Sequence, residues 1–168
     1  MGKNDFWSAV KIYAKPGNNA AELYHGEESY FLKGLSKIVG SEGIVYGIDP
    51  LNPFKKSAKM RSLSKLENVE LIKSKFPNLP SGIKNLDVVL IRDFLLAAYK
   101  IPFDGTSDPN VFRSFSKILK KRGNMILNVN RTEIENYLKV YNKSIKEYLP
   151  NFKKVFNSTE LIVYKKLK

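Results

Sequence analysis

Residues Asp87–Ile91 read DVVLI, a stretch that is apolar at every position after the first. A strand with one face in water alternates apolar and polar residues, whereas a continuous apolar run requires cover on both faces. That cover has to come from helices on either side of a sheet, and the chain offers them in alternation with further strands. Ala20–Tyr24, Ile44–Ile48, Val69–Ile72 and Met125–Val129 read as strands. Phe152–Phe156 and Leu161–Lys165 read as two more, joined by the short polar link Asn157-Ser158-Thr159 of a closing antiparallel hairpin. Ser29–Val39 repeats Tyr30, Phe31, Leu35, Ile38 and Val39 near helical spacing and stops at Gly40 and Gly43. Phe54–Leu66, Val111–Lys121 and Thr132–Leu149 are the other expected helices, the second ended by Gly123 and the third opened by the capping pair Thr132 and Glu135. Pro77, Pro80 and Gly82 make most of Lys73–Asn85 a loop. The order β-α-β-α-β-β-α-β-α-β-β predicts right-handed crossovers and a mainly parallel sheet with one antiparallel strand. In such sheets ligands bind beyond the carboxyl ends of the strands, which here are the segments after Tyr24, Ile48, Ile72, Ile91 and Val129.

The 168 residues suit a single domain, with 1–19 as an N-terminal segment and 20–168 as its core. Phe6, Trp7 and Tyr13 in the first segment read as a lid helix or, the preferred expectation, as cover for the sheet edge. The absence of cysteine excludes disulfides, thiolate metal sites and cysteine nucleophiles, and His25 is the only histidine. No apolar run approaches the ~18 residues of a membrane span, so a soluble, cytoplasmic protein is expected, with no membrane partner. The balance of 29 Lys+Arg against 16 Asp+Glu leaves a net charge of +13. Such a field attracts polyanions, and nucleic acid is one expected partner. Most of the charge is lysine, a point charge that binds phosphate without reading bases. The same Lys- and Asn-rich composition is also what AT-rich coding yields. Lys55, Lys56, Lys59, Arg61 and Lys65 form one basic flank, and Lys117, Lys120, Lys121 and Arg122 another.

Taken in chain order, these pieces resemble a class I S-adenosylmethionine-dependent methyltransferase over about residues 20–168. Ala21–Glu28 (AELYHGEE) occupies the place of the family's glycine-rich first motif. Gly43–Asp49 (GIVYGID) resembles the second strand with its terminal acid, and Asn68–Ile72 the third strand. Asp87–Asp93 (DVVLIRD) resembles the fourth, and Phe115–Leu127 the helix and fifth strand. The resemblance implies an α/β, three-layer α/β/α Rossmann-like fold. Its seven-stranded sheet would have order 3-2-1-4-5-7-6, mostly parallel with an antiparallel C-terminal strand.

It also implies S-adenosylmethionine as cofactor, and site residues. Asp49, at the turn Asp49-Pro50, falls where the family accepts hydrogen bonds from the ribose hydroxyls, a role suited to an acceptor-only carboxylate. Glu22 matches the acid of the first motif. Of the three glycines expected there only the middle one is present, as Gly26; Tyr24 and Glu28 stand at the other two. Gly26, Ser29 and Pro50 complete the expected cofactor set. Arg92 and Asp93, after the fourth strand, are the expected catalytic pair, Arg92 as a substrate clamp and Asp93 as a base or acceptor. Lys73, Ser74 and Lys75 replace the acid often found after the third strand; backbone groups of Lys73–Phe76 remain for the adenine, with Phe76 either a stacking or a core residue. The loop Ile101–Pro109 reads as a substrate cap or a connector, and His25 as a base or a bystander in the turn. Two functions fit: a methyltransferase with an RNA or protein acceptor, or a catalytically inactive domain of this fold that binds nucleic acid or a partner protein. A doubly wound nucleotide-binding protein of another class fits the terminal hairpin less well.

Overall fold

The computed structural model describes residues 3–26, 29, 31–50, 58–74, 79–91, 116–128, 150–157 and 161–168, with side chains from Trp7 onward. The chain runs α1 (Lys3–Tyr13), β1 (Ala20–Leu23), α2 (Leu32–Val39), β2 (Val45–Asp49), α3 (Ala58–Leu63), β3 (Val69–Lys73), β4 (Leu86–Ile91), β5 (Leu119–Asn128), β6 (Phe152–Asn157) and β7 (Leu161–Lys166). The strands form one seven-stranded sheet in the order β3-β2-β1-β4-β5-β7-β6. β1 to β5 pair in parallel, and β7 runs antiparallel to both β5 and β6. This is the order and polarity that the resemblance implies.

Two apolar layers account for the alternation of side chains along the strands. On one face Ala20, Val45, Val88, Leu90, Ile126, Leu161 and Val163 pack against Val10 and Ala14, against Leu32, Leu35 and Val39 of α2, and against Met60 and Leu63 of α3. On the other, Ala21, Leu23, Ile48, Val89, Ile91, Met125, Leu127, Ile162 and Tyr164 pack against Ile83, Leu86, Ile118 and Leu119. The continuous apolar run at β4 thus divides between the layers, Val88 and Leu90 on one side, Val89 and Ile91 on the other.

α2 buries Leu32, Leu35, Ser36 and Val39, a one-sided stripe at helical spacing. Its start lies at Leu32, three residues beyond the expected Ser29. Asn68, just before β3, closes its other end: Nδ2 donates to the carbonyls of Ser36 (3.0 Å) and Gly40 (2.8 Å), and Oδ1 accepts from Ser36 Oγ at 2.6 Å. The Ser36 carbonyl also accepts the Gly40 amide at 3.0 Å, and the Asn68 amide adds a second donor there and supplies one to Gly40 beyond the last turn.

Two expectations are corrected. The helix expected over Val111–Lys121 ends at residue 118 and not at Lys121, because β5 already begins at Leu119; residues 111–115 lie outside the described residues. The cause is tertiary. The pairing of β4 with β5 jumps from Leu86–Leu119 to Val88–Asn124, so Lys120–Gly123 bulge out of register, with Arg122 at φ +66°. Gly123 sits so close to the Leu86 carbonyl that an added Cβ would stand 2.9 Å from it, and Lys120 pairs with Asp87 of β4. Secondly, Trp7 does not cover the sheet edge. Its ring lies over Gly34 of α2 and meets Phe31 edge-on, with centroids 5.5 Å apart, so α1 packs with α2 on the sheet face. The helix expected over Thr132–Leu149 lies outside the described residues.

Candidate functional site

β1 lies between β2 and β4, so the chain changes direction across the sheet at its carboxyl end. That is where a doubly wound sheet opens a crevice. The Tyr24 amide donates to the Ile48 carbonyl at 2.8 Å, which draws the chain after β1 onto the end of β2. The backbone then turns sharply, with Tyr24 at φ +56° and Gly26 at φ +62°. Positive φ is open to glycine without a Cβ penalty, and Gly26 has nothing within 4 Å of the position a Cβ would take. Tyr24 accepts the same conformation as a non-glycine and packs partly buried against the Leu23–Ile48 layer. The first-motif turn therefore forms although one of its expected glycines is a tyrosine.

Asp49 ends β2 and is buried, 4% exposed. Its Oδ2 accepts the Gly26 amide at 2.9 Å, and its carbonyl accepts the Ser74 amide at 3.0 Å, tying the ends of β2 and β3 together. Glu22, fully buried on β1, stands in register with Gly47 of β2 and Leu90 of β4. His25 is 4% exposed; its Nδ1 lies 2.7 Å from the Gly26 carbonyl. Its ring edge rests on Gly47, where an added Cβ would lie 3.2 Å from Cδ2. Ser29 is fully buried and its amide donates to the His25 carbonyl at 3.2 Å. His25 Nε2 and Ser29 Oγ have no hydrogen-bond partner among the described residues.

The fold thus brings Gly26 and Asp49 into direct contact, with Ser29 in the same turn, Glu22 on the strand that leads into it, and Pro50 half-buried beside Asp49. Arg92 and Asp93 lie outside the described residues, as do Glu27, Glu28, Phe76, the loop Ile101–Pro109, and Lys55 and Lys56 of the first basic flank. Ile91, directly before Arg92, is paired with Leu23 of β1, so β4 ends beside the strand that leads into the turn. His25 is the residue whose part in the turn sequence reasoning did not find. The signal was present only as a pair of facts distant in sequence, a histidine in the turn and a glycine at position 47. No group of His, Asp and Glu among the described residues has the arrangement of a metal site.

The residues present suit a ligand that carries a ribose. A buried carboxylate at the strand end is a strong acceptor for a diol, and the open space above Gly26 admits a ligand close to the backbone.

The sheet order, the reversed β7 and the crevice at the end of β1 define the fold of class I S-adenosylmethionine-dependent methyltransferases. Solved structures agree. The chain superposes on an S-adenosylmethionine-dependent methyltransferase from Aquifex aeolicus with a TM-score of 0.67 at 16% identity, over 96% of this chain and 88% of that one. It superposes on a candidate rRNA methylase from Clostridium thermocellum with a TM-score of 0.64 at 16% identity, over 98% and 95%. For an S-adenosylmethionine-dependent O-methyltransferase from Thermotoga maritima the TM-score is 0.68 at 17% identity, over 100% and 67%. By sequence the chain matches no family model and no curated protein.

Proposed function

We propose that this chain is an S-adenosylmethionine-dependent methyltransferase with an RNA acceptor. The observation that carries the reading is the buried Asp49 carboxylate, held against the Gly26 amide at the crevice of a methyltransferase fold. In this reading Asp49 accepts the ribose hydroxyls, Gly26 allows the ligand close to the backbone, and Glu22, Ser29 and Pro50 shape the remainder of the cofactor site. When bound, the cofactor supplies a methyl group on a cationic sulfonium, so the leaving group comes with it. The protein's task is then to hold acceptor and methyl group in line and to exclude water. We assign Arg92 to clamping the acceptor and Asp93 to taking its proton, from their place directly after β4.

Charge supports an RNA acceptor. Lys59, Arg61 and Lys65 are exposed on and just after α3, the helix that follows the end of β2. A second group, Lys117, Lys120, Lys121 and Arg122, is exposed just before and at the start of β5, at the end of the sheet opposite the crevice, where a long polyanion rather than its reacting nucleotide would meet it. Beside it the register sets Lys153 of β6 opposite Lys165 of β7. Like charges facing each other across a strand pair oppose folding, which is the pattern a phosphate-binding surface would retain. The candidate rRNA methylase among the similar structures fits this reading.

Calorimetric titration with S-adenosylmethionine and S-adenosylhomocysteine tests it. Micromolar binding that Asp49→Ala abolishes, with the thermal unfolding of the variant still cooperative, is the expected result. No heat and no thermal stabilisation at millimolar ligand would overturn the enzyme reading. Salt-sensitive RNA binding without cofactor binding would instead identify a binding module on this fold.

A further inference from the structure

We propose that His25 is a positioning residue for the cofactor site and that it acts through Gly26 on Asp49; the part concerning cofactor rests on the reading above. Gly26 is gripped at both of its peptide groups. Its amide donates to Asp49 Oδ2 at 2.9 Å, and its carbonyl lies 2.7 Å from His25 Nδ1. A carbonyl can only accept, so the contact requires the proton on Nδ1, and in the neutral ring Nε2 is then the bare nitrogen. Nε2 is buried, and among the described residues it has no partner that would favour the opposite tautomer.

The ring is also placed by shape. It is 4% exposed and lies against the bare backbone of Gly47, in register with Glu22 one strand away. Leu32 and Leu71 approach the same glycine: a Cβ there would stand 2.6 Å from Leu32 Cδ1 and 2.8 Å from Leu71 Cδ2. A slot of this kind fixes the ring plane, the ring fixes the Gly26 carbonyl, and Gly26 at φ +62° presents its amide to Asp49. The carboxylate is thereby oriented before any diol arrives. His25 itself need not touch the ligand.

Because His25 is the only histidine, its ring nitrogens can be observed without ambiguity by NMR of the whole protein labelled with ¹⁵N-histidine. The expected spectrum has a protonated Nδ1 and a bare Nε2; a ring protonated at Nε2, or averaging between tautomers, overturns the proposal. Amide exchange at Gly26 reads the clamp directly. His25→Phe should speed exchange of the Gly26 N–H about tenfold, the weight of one hydrogen bond. His25→Asn, whose side-chain amide can donate from near the place of Nδ1, should restore most of the protection. Unchanged exchange in a folded His25→Phe, or no rescue by asparagine, counts against it. These results do not need the cofactor, so they decide the clamp even if S-adenosylhomocysteine fails to bind the native protein. Where it does bind, His25→Phe should weaken it about tenfold in the native background and much less when Asp49→Asn is already present. Equal, additive losses would mean that His25 does not act through Asp49.

Discussion

Two glycines in the site are needed for different reasons, and the difference can be measured. Gly26 is needed for its backbone. A methyl group would meet open space there, so Gly26→Ala should cost only about 1 kcal/mol, the penalty of a left-handed conformation for an L-residue. Equilibrium denaturation in urea would show that as a lower midpoint at unchanged slope. Gly47 is needed for its emptiness. Gly47→Ala would push on Leu32, Leu71 and the His25 ring together, and overpacking of this kind costs about 1–3 kcal/mol. The larger loss should therefore come from the residue farther from the expected ligand. Asp49 and Gly26 were legible in the sequence, one as an acid ending a strand and the other as the glycine of the turn. His25 was not, because its role depends on a glycine on another strand.

Among the elements, α2 depends visibly on its neighbours. It is short, with no side-chain cap at its first turn, and short helices draw their stability from packing and caps. Asn68 supplies the cap at the other end from across the fold. Asn68→Ala should lower stability by about 1–3 kcal/mol, since the half-buried Gly40 carbonyl would lose its Asn68 donor and Ser36 its side-chain partner; urea denaturation would measure it. Trp7 reports on the opposite side of α2. It is the only tryptophan, and its ring occupies the space a side chain at position 34 would need. Gly34→Val should displace the ring, read as a red shift of the fluorescence and an earlier thermal transition. The element boundary that the sequence misplaced, at Leu119, is instructive for the same reason. Residues 116–121 carry an apolar and basic pattern that suits a helix. The helix yields because Lys120 meets Asp87 and Gly123 fits against the Leu86 carbonyl, contacts made only once β4 is in place.

For the molecule as a whole, pH and salt are the informative variables. Burial raises the pKa of the Tyr164 phenol above its ordinary 10.0. Tyr46 is raised too, first by burial and then by the nearby charge of Glu70. Below pH 10 both phenols are neutral in the folded and the unfolded chain, so their contribution is fully present. Above pH 10 the unfolded chain ionises first, and stability falls as pH rises through the higher folded values. Thermal unfolding from pH 8 to 11 should show that decline, and Tyr164→Phe should flatten it. Salt tests the basic surface. If RNA is the acceptor, log affinity should fall linearly with log salt, with a slope of about −0.7 to −0.9 per phosphate contacted. Paired reversals Lys153→Glu and Lys165→Glu should then reduce that slope. An unchanged slope would confine phosphate contact to the other flank.

The sequence by itself determined the class of fold, a mainly parallel sheet covered on both faces; the strand order came only with the resemblance of its motifs to the methyltransferase family. A strand covered on both faces, helices alternating with strands and a closing hairpin leave few arrangements that bury the apolar residues with right-handed crossovers. It also indicated where to look for a site, since parallel strands joined by helices share one carboxyl end. Local pattern could say little beyond this. Whether Leu119 is helix or strand, whether a tyrosine can stand where a glycine is expected, and what holds the Gly26 turn were decided only by the tertiary structure. Each depends on contacts between residues far apart in the chain. Asp87 and Lys120, Tyr24 and Ile48, and His25 and Gly47 meet only when the sheet has assembled. Such contacts outweigh local propensities that span less than about 1 kcal/mol per residue.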